Sequence, residues 1–114
     1  MVYNPKQGDI IKIDFNPTRG HEQRGLRPAI VVSNNSFSQI TQSGAMVCPI
    51  TNRDKNLPFH IPLDSRTQTT GVILTDQAKI LDIIQRNAVF VEKAPKDIVF
   101  EVVDTINSFI EVED

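Results

Sequence analysis

Two hydrophobic periodicities divide this chain at Pro95, and the division limits the architectures open to it. Before Pro95, aliphatic and β-branched residues come in short runs separated by turn-forming residues. After it, Ile98, Val99, Val102, Val103, Ile106, Phe109 and Ile110 recur at three- and four-residue steps, the stripe of an amphipathic helix. Pro95 suits the first turn of that helix, and Asp97 suits the positive end of its dipole. The helix is expected to lay its apolar face on whatever the preceding runs build.

Those runs read as strands. GDIIKIDF alternates, with Ile11, Ile13 and Phe15 on one face and Lys12 and Asp14 on the other, the period of a half-buried strand. After the loop residues NPTRGHEQRGL, PAIVVS has a β-branched run that indicates burial on both faces. NNSFSQITQ predicts a short helix or turn, and AMVCPIT a third strand, with Pro49 placing it near an edge or a bulge. LPFHIPL is extended, and GVILT and AKILDII are two further strands joined across Asp76 and Gln77. Five or six short strands without long crossovers cannot easily pair in parallel. The expected class is therefore mainly β (α+β): a small antiparallel β-barrel with one packed C-terminal helix.

A chain of 114 residues can bury one core, so residues 1–114 are expected to form a single domain. The apolar runs AIVV and AMVC are far short of a membrane span. The N-terminus MVYNPKQGD lacks the basic-then-apolar order of a secretory signal, and the one cysteine, Cys48, cannot form an internal disulfide; both point to the cytoplasm. Charge is unevenly divided. Residues 1–96 hold all 12 Lys and Arg against 8 Asp and Glu, a balance of +4, whereas residues 97–114 carry the remaining six acidic residues and no basic one. A basic body suits an anionic ligand such as nucleic acid, and an ordinary mixed surface explains it equally well.

Polar groups with chemical potential collect where strands end. GHEQRGLRP precedes the second strand, Thr51 and Asn52 follow the third, and Asp76 and Gln77 follow GVILT. Arg27 offers a fixed fork of donors for a phosphate and for charge building on pentacovalent phosphorus. His21 and Glu22 have groups able to move a proton, as does Asp76, and Thr51 has a hydroxyl to donate to a phosphate oxygen. Gly20 and Gly25 permit close approach of a ligand but do not make a P-loop. Taken singly, each of these residues fits an ordinary structural or surface role. His21, His60 and Cys48 supply no zinc constellation, so no metal or other cofactor is expected. Cys48, within MVCPI, reads as a core residue, and His60, within PFHIPL, as an outward-facing strand residue.

In order, GDIIKIDFNPTRGHEQRGLRPAIVVS, CPITN, LPFHIPL and TTGVILTDQAKILD resemble the MazF/PemK family of toxin endoribonucleases, including its Kid and ChpB branch. The resemblance spans nearly the whole chain. It implies a small SH3-like β-barrel, shared with CcdB, in a homodimer that cuts single-stranded RNA without a metal. The 2′-hydroxyl attacks its own phosphodiester, leaving a 2′,3′-cyclic phosphate and a 5′-hydroxyl. By the same resemblance, Arg27 stabilises the transition state or acts as the acid, and Thr51 binds the phosphate. Glu22, or Asp76 helped by His21, is the base; Leu74 stands where the Kid-like branch has an arginine, which shifts weight towards Glu22 or His21 with Arg27. Gln23, Arg24, Asn52, Arg53, Lys55 and Gln77 are the expected substrate contacts. The implied partners are single-stranded RNA and a MazE/PemI-like antitoxin with an acidic flexible tail. Two rival readings are a CcdB-like gyrase poison and a non-catalytic RNA-binding barrel. The first needs no phosphate chemistry, and Tyr3 and six Phe offer the second few stacking platforms.

Overall fold

The alternating segment GDIIKIDF forms strand β1 (Asp9–Asp14) in the computed structural model, which describes residues 3–15 and 25–114. It is followed by β2 (Leu26–Val31), α1 (Asn35–Thr41), β3 (Gly44–Thr51), β4 (His60–Pro62) and β5 (Val72–Leu74). A single 3-10 turn (Thr75–Gln77), β6 (Lys79–Asp82), β7 (Val89–Lys93) and α2 (Lys96–Phe109) complete the described chain. All pairings are antiparallel, along the path β4-β5-β3-β2-β1-β7, with β6 added to β3 off that path. The expected α+β class, an antiparallel sheet with a C-terminal helix, is thus present. Its hydrogen-bonded path is open, ending at β4 and β7, rather than closed into a barrel.

Both faces of the sheet are covered. β1 sends Ile10 into a cluster with Ile30, Cys48, Ile73, Ile98 and Val102 beneath α2, and Ile11 and Ile13 into a second cluster with Val31, Val47 and Ile83. Ala29, Ile30, Val31 and Val32 are all buried, as the β-branched run of β2 required. Each fully buried isoleucine contributes about 1.5–3 kcal/mol of transfer free energy, so these two clusters dominate stability.

Four details depart from the sequence reading. Residues 89–93, which no sequence periodicity marks as a strand, form β7. Val89, Phe90 and Val91 are consecutive and exposed, so they show no alternation; ladder bonds to β1 hold this edge strand. β3 is central rather than near an edge. Pro49 is tolerated there because it falls where β3 changes partners, between the Val47–Lys79 pair with β6 and the Ile50–Ile73 pair with β5. Pro95 is the N-cap of α2, not part of its first turn. The apolar stripe of that helix buries Ile98 and Val102, whereas Phe109 and Ile110 at its end are exposed. No helix among the described residues is long and apolar enough to cross a membrane.

The long connection from β4 to β5 is pinned at two points. Arg66 bridges Asp64 at 2.8 Å and Asp97 at 2.9 Å, tying the loop to the first turn of α2. Hydrogen bonds from that guanidinium hold the Asp64 carboxyl down at about 2. Glu92 of β7 accepts the backbone N–H groups of Gln68 at 3.0 Å and Thr69 at 2.8 Å. At α1, the Asn34 side chain accepts the Phe37 N–H at 3.0 Å, the bond that closes a helix N-terminus. Asn34→Ala is expected to lower stability by about 1 kcal/mol, measured as a shift in the urea midpoint at unchanged slope.

Candidate active-site groove

Antiparallel pairing of β1, β2 and β3 brings the end of β1, the start of β2 and the end of β3 to one side of the sheet. Arg27 lies opposite Ile13, and Pro49 opposite Ala29, so Arg27 and Thr51 approach one another from different strands. Arg27, Thr51, Asn52 and Gln77 line a single groove of about 460 Å³. Four residues drawn from three separated stretches of sequence therefore meet in one place. The strand order achieves this convergence; no local motif could.

Each of these side chains has donors to offer. The Thr51 hydroxyl oxygen accepts the backbone N–H of Arg53 at 3.1 Å, which leaves its own proton available to a ligand oxygen. Asn52 Oδ1 accepts the Thr70 hydroxyl at 3.0 Å, so its amide nitrogen is the end left to donate. Arg27 sits on an exposed position of β2 and brings a permanent positive charge.

The structure also adds residues that the sequence reading did not select. Phe15 and Lys79 line the same groove, with the Lys79 ammonium 5.8 Å from the centre of the Phe15 ring. Arg86 fixes that end of β1 by donating to the carbonyls of Asp14 at 3.2 Å and Phe15 at 2.6 Å. Phe15 was legible only as one of three residues on an alternating face, and Lys79 as an ordinary strand lysine. Their joint position depends on β6 pairing with β3.

Other candidates are not brought together. Asp76 neighbours Gln77 on the 3-10 turn, but it is absent from the groove lining, and its carboxylate lies 4.0 Å from His60 Nε2. Arg53 and Lys55 are exposed on the loop after β3 and do not line the groove. Gly20, His21, Glu22, Gln23 and Arg24 lie outside the described residues. His60 corrects the expectation of an outward position. Its side chain is only 6% exposed, held between Asp54 and Asp76.

Cys48 is fully buried in the core, as its apolar neighbours implied. Burial, and then the charge of Asp76, push its thiol up to about 12. A thiol raised in this way is protonated at neutral pH and unreactive. It is expected to resist a disulfide exchange reagent at about pH 8 in the native protein and to react fully once unfolded in guanidinium, followed by absorbance.

Comparison with known proteins then decides what kind of chain carries this groove. The family model described as PemK-like, MazF-like toxin of type II toxin-antitoxin system matches residues 6–110. The chain belongs to this family. It is 42% identical over 78 residues to the endoribonuclease toxin MazF of Escherichia coli K12, covering 68% of each chain. With the endoribonuclease toxin ChpB of the same strain, identity is 32% over 111 residues, covering 93% of this chain and 94% of the other. A MazE-MazF crystal structure from Deinococcus radiodurans superposes with a TM-score of 0.84 at 32% identity, covering 95% of this chain and 97% of that chain. The PemK-like, MazF-like family thus accounts for the sheet with its C-terminal helix, and the groove lies within the matched residues.

Proposed function

We propose that this chain is the endoribonuclease toxin of a type II pair, cutting single-stranded RNA at short sequences and thereby stopping translation and growth. The observation that carries this reading is the groove shared by Arg27, Thr51, Asn52 and Gln77, a set of donors suited to a phosphodiester. Its relatives named endoribonucleases support it.

In the proposed reaction the ribose 2′-oxygen loses its proton and forms a bond to the adjacent phosphorus. The bond from phosphorus to the 5′-oxygen breaks, and that oxygen takes up a proton. The products are a 2′,3′-cyclic phosphate and a 5′-hydroxyl. Negative charge grows on the non-bridging oxygens as the phosphorane forms, and Arg27 meets it with two N–H groups while Thr51 donates its hydroxyl. Glu22 and His21, on the segment that leads into β2, are the proposed proton carriers. Asp76, facing His60 instead of the groove, is the weaker candidate. No metal or cofactor is assigned a role.

The proposed partners are a second copy of the chain in a homodimer and a MazE/PemI-like antitoxin whose acidic tail occupies the cationic groove in place of RNA. The MazE-MazF assembly of the Deinococcus radiodurans relative and the basic balance of residues 1–96 support the latter. The proposed compartment is the cytoplasm.

Incubation of the pure protein with single-stranded RNA in EDTA, beside a chimera carrying 2′-deoxyribose at the cut position, tests the mechanism. Cleavage of the RNA and not of the chimera is expected. A metal requirement, or tight binding without cleavage, would overturn it.

A further inference from the structure

We propose that His60 is a positioning residue: its imidazole clasps the loop that carries Asn52 to the turn that carries Gln77, and so sets the groove for its ligand. The ladder of β4 and β5 places His60 opposite Leu74, and the 3-10 turn that begins at the next residue brings Asp76 alongside the ring. Leu74 brings no charge to Asp76, so a basic group reaches that carboxylate from the neighbouring strand. Nδ1 lies 3.4 Å from Asp54 Oδ1 and Nε2 4.0 Å from Asp76 Oδ1, one carboxylate on each nitrogen.

Both the ring and its first partner are fixed in place. Asp54 Oδ1 accepts the Asn56 N–H at 2.7 Å in a turn whose Asn56 has φ of 57°. The Phe59 ring stands edge-on to the imidazole at 5.5 Å and to Phe109 of α2 at 5.8 Å. The Thr75 hydroxyl donates to the Phe59 carbonyl at 2.6 Å, tying the 3-10 turn to the residue just before β4. An imidazole so enclosed cannot swing into solvent to avoid its two carboxylates.

The groups that face the ring are Asp54 from the loop after β3 and Asp76 from the 3-10 turn, with the apolar Phe59 ring against it. The imidazole thus joins two segments of the groove wall, and its loss should let Asn52 and Gln77 move apart.

The RNA readout of this inference rests on the proposed nuclease function, so the test includes one arm without RNA. Binding of an uncleavable chimera, with 2′-deoxyribose at the cut position, is measured for the native protein, His60→Gln and His60→Ala, with cleavage kinetics beside it. His60→Ala should raise Kd and KM at least about fivefold while kcat stays within about threefold, and His60→Gln, which keeps a donor, should recover most of the loss. In a protein that binds RNA, an unchanged KM in His60→Ala, or no recovery in His60→Gln, overturns the clasp.

In the second arm, the side-chain amide resonances of Asn52 and Gln77 are compared by NMR, without RNA, in the native protein, His60→Ala and His60→Gln. Both should move in His60→Ala and return towards their native positions in His60→Gln. Unchanged resonances in His60→Ala overturn the clasp. The expected movement in a protein that neither binds nor cuts RNA upholds it and rejects the nuclease reading instead.

Discussion

Arg27→Ala is expected to lower kcat/KM on RNA by about 10²–10³-fold, the cost of removing one preorganised donor from charge that develops in the transition state. The side chain is exposed at the start of β2 and outside both core clusters, so the unfolding midpoint should hold within about 0.5 kcal/mol. Loss of activity is then separable from loss of fold. Arg27→Lys should recover little, because an ammonium carries the charge without the planar fork. Single-turnover cleavage of a short RNA, read beside circular dichroism, checks both parts. Retention of native activity in Arg27→Ala would remove this residue from the reaction.

Gly71→Ala is expected to have the largest effect on stability among substitutions that do not touch the core. Gly71 has φ of 118°, a conformation that side-chain-bearing residues rarely adopt, and an added Cβ would stand 2.4 Å from the Thr51 carbonyl oxygen. That obstacle is backbone, and it belongs to the end of β3 that presents Thr51 to the groove. Relief requires β3 and the start of β5 to separate, so a loss of about 3 kcal/mol or more is expected, together with weaker RNA binding. Gly25→Ala is a useful comparison. Its Cβ would meet Asp14 Oδ1 at 3.0 Å, a side-chain rather than a backbone atom and a longer approach, and the cost should be smaller. Urea unfolding of the two variants distinguishes them, and equal midpoints would refute the account of Gly71.

The strands that could be read from sequence were those whose burial alternates or is complete. β1 shows Ile11 and Ile13 on one face with Lys12 exposed on the other, and β2 is buried through its apolar run. β7 could not be read, because an edge strand held by ladder bonds has no need of a buried face, and its first three residues are exposed together. Phe109 and Ile110 continue the helical stripe in sequence, but Phe109 stays exposed beside the edge of Phe59 and Ile110 lies past the last residue of α2, so periodicity overstated the buried face. Pro49 misled in the opposite direction. Its missing N–H suggested an edge, whereas a change of partner within a central strand accommodates it.

For the site, the chemical types in Arg27, Thr51, Asn52 and Gln77 were visible in the chain, and their strand-end positions made a meeting point plausible. His60 was not visible in this sense. One histidine in an extended apolar segment has nothing local to distinguish a surface position from a clasp, since Asp54 and Asp76 stand 6 residues before it and 16 after it. Phe15 and Lys79 are similar: the first directly follows β1, the second opens β6, and only the common partner β3 and its neighbours bring them to one wall.

Sequence alone determined the antiparallel sheet with a terminal helix, because periods of two and of three to four residues can bury an apolar face in only those forms. It also determined which groups were available to a phosphate, because a guanidinium and a hydroxyl carry their chemistry wherever they lie. Tertiary structure alone decided which of those groups share a groove, which carboxylates enclose His60 and which proline a central strand can hold. Those outcomes depend on strand order and register, which are set by contacts between residues far apart in the chain.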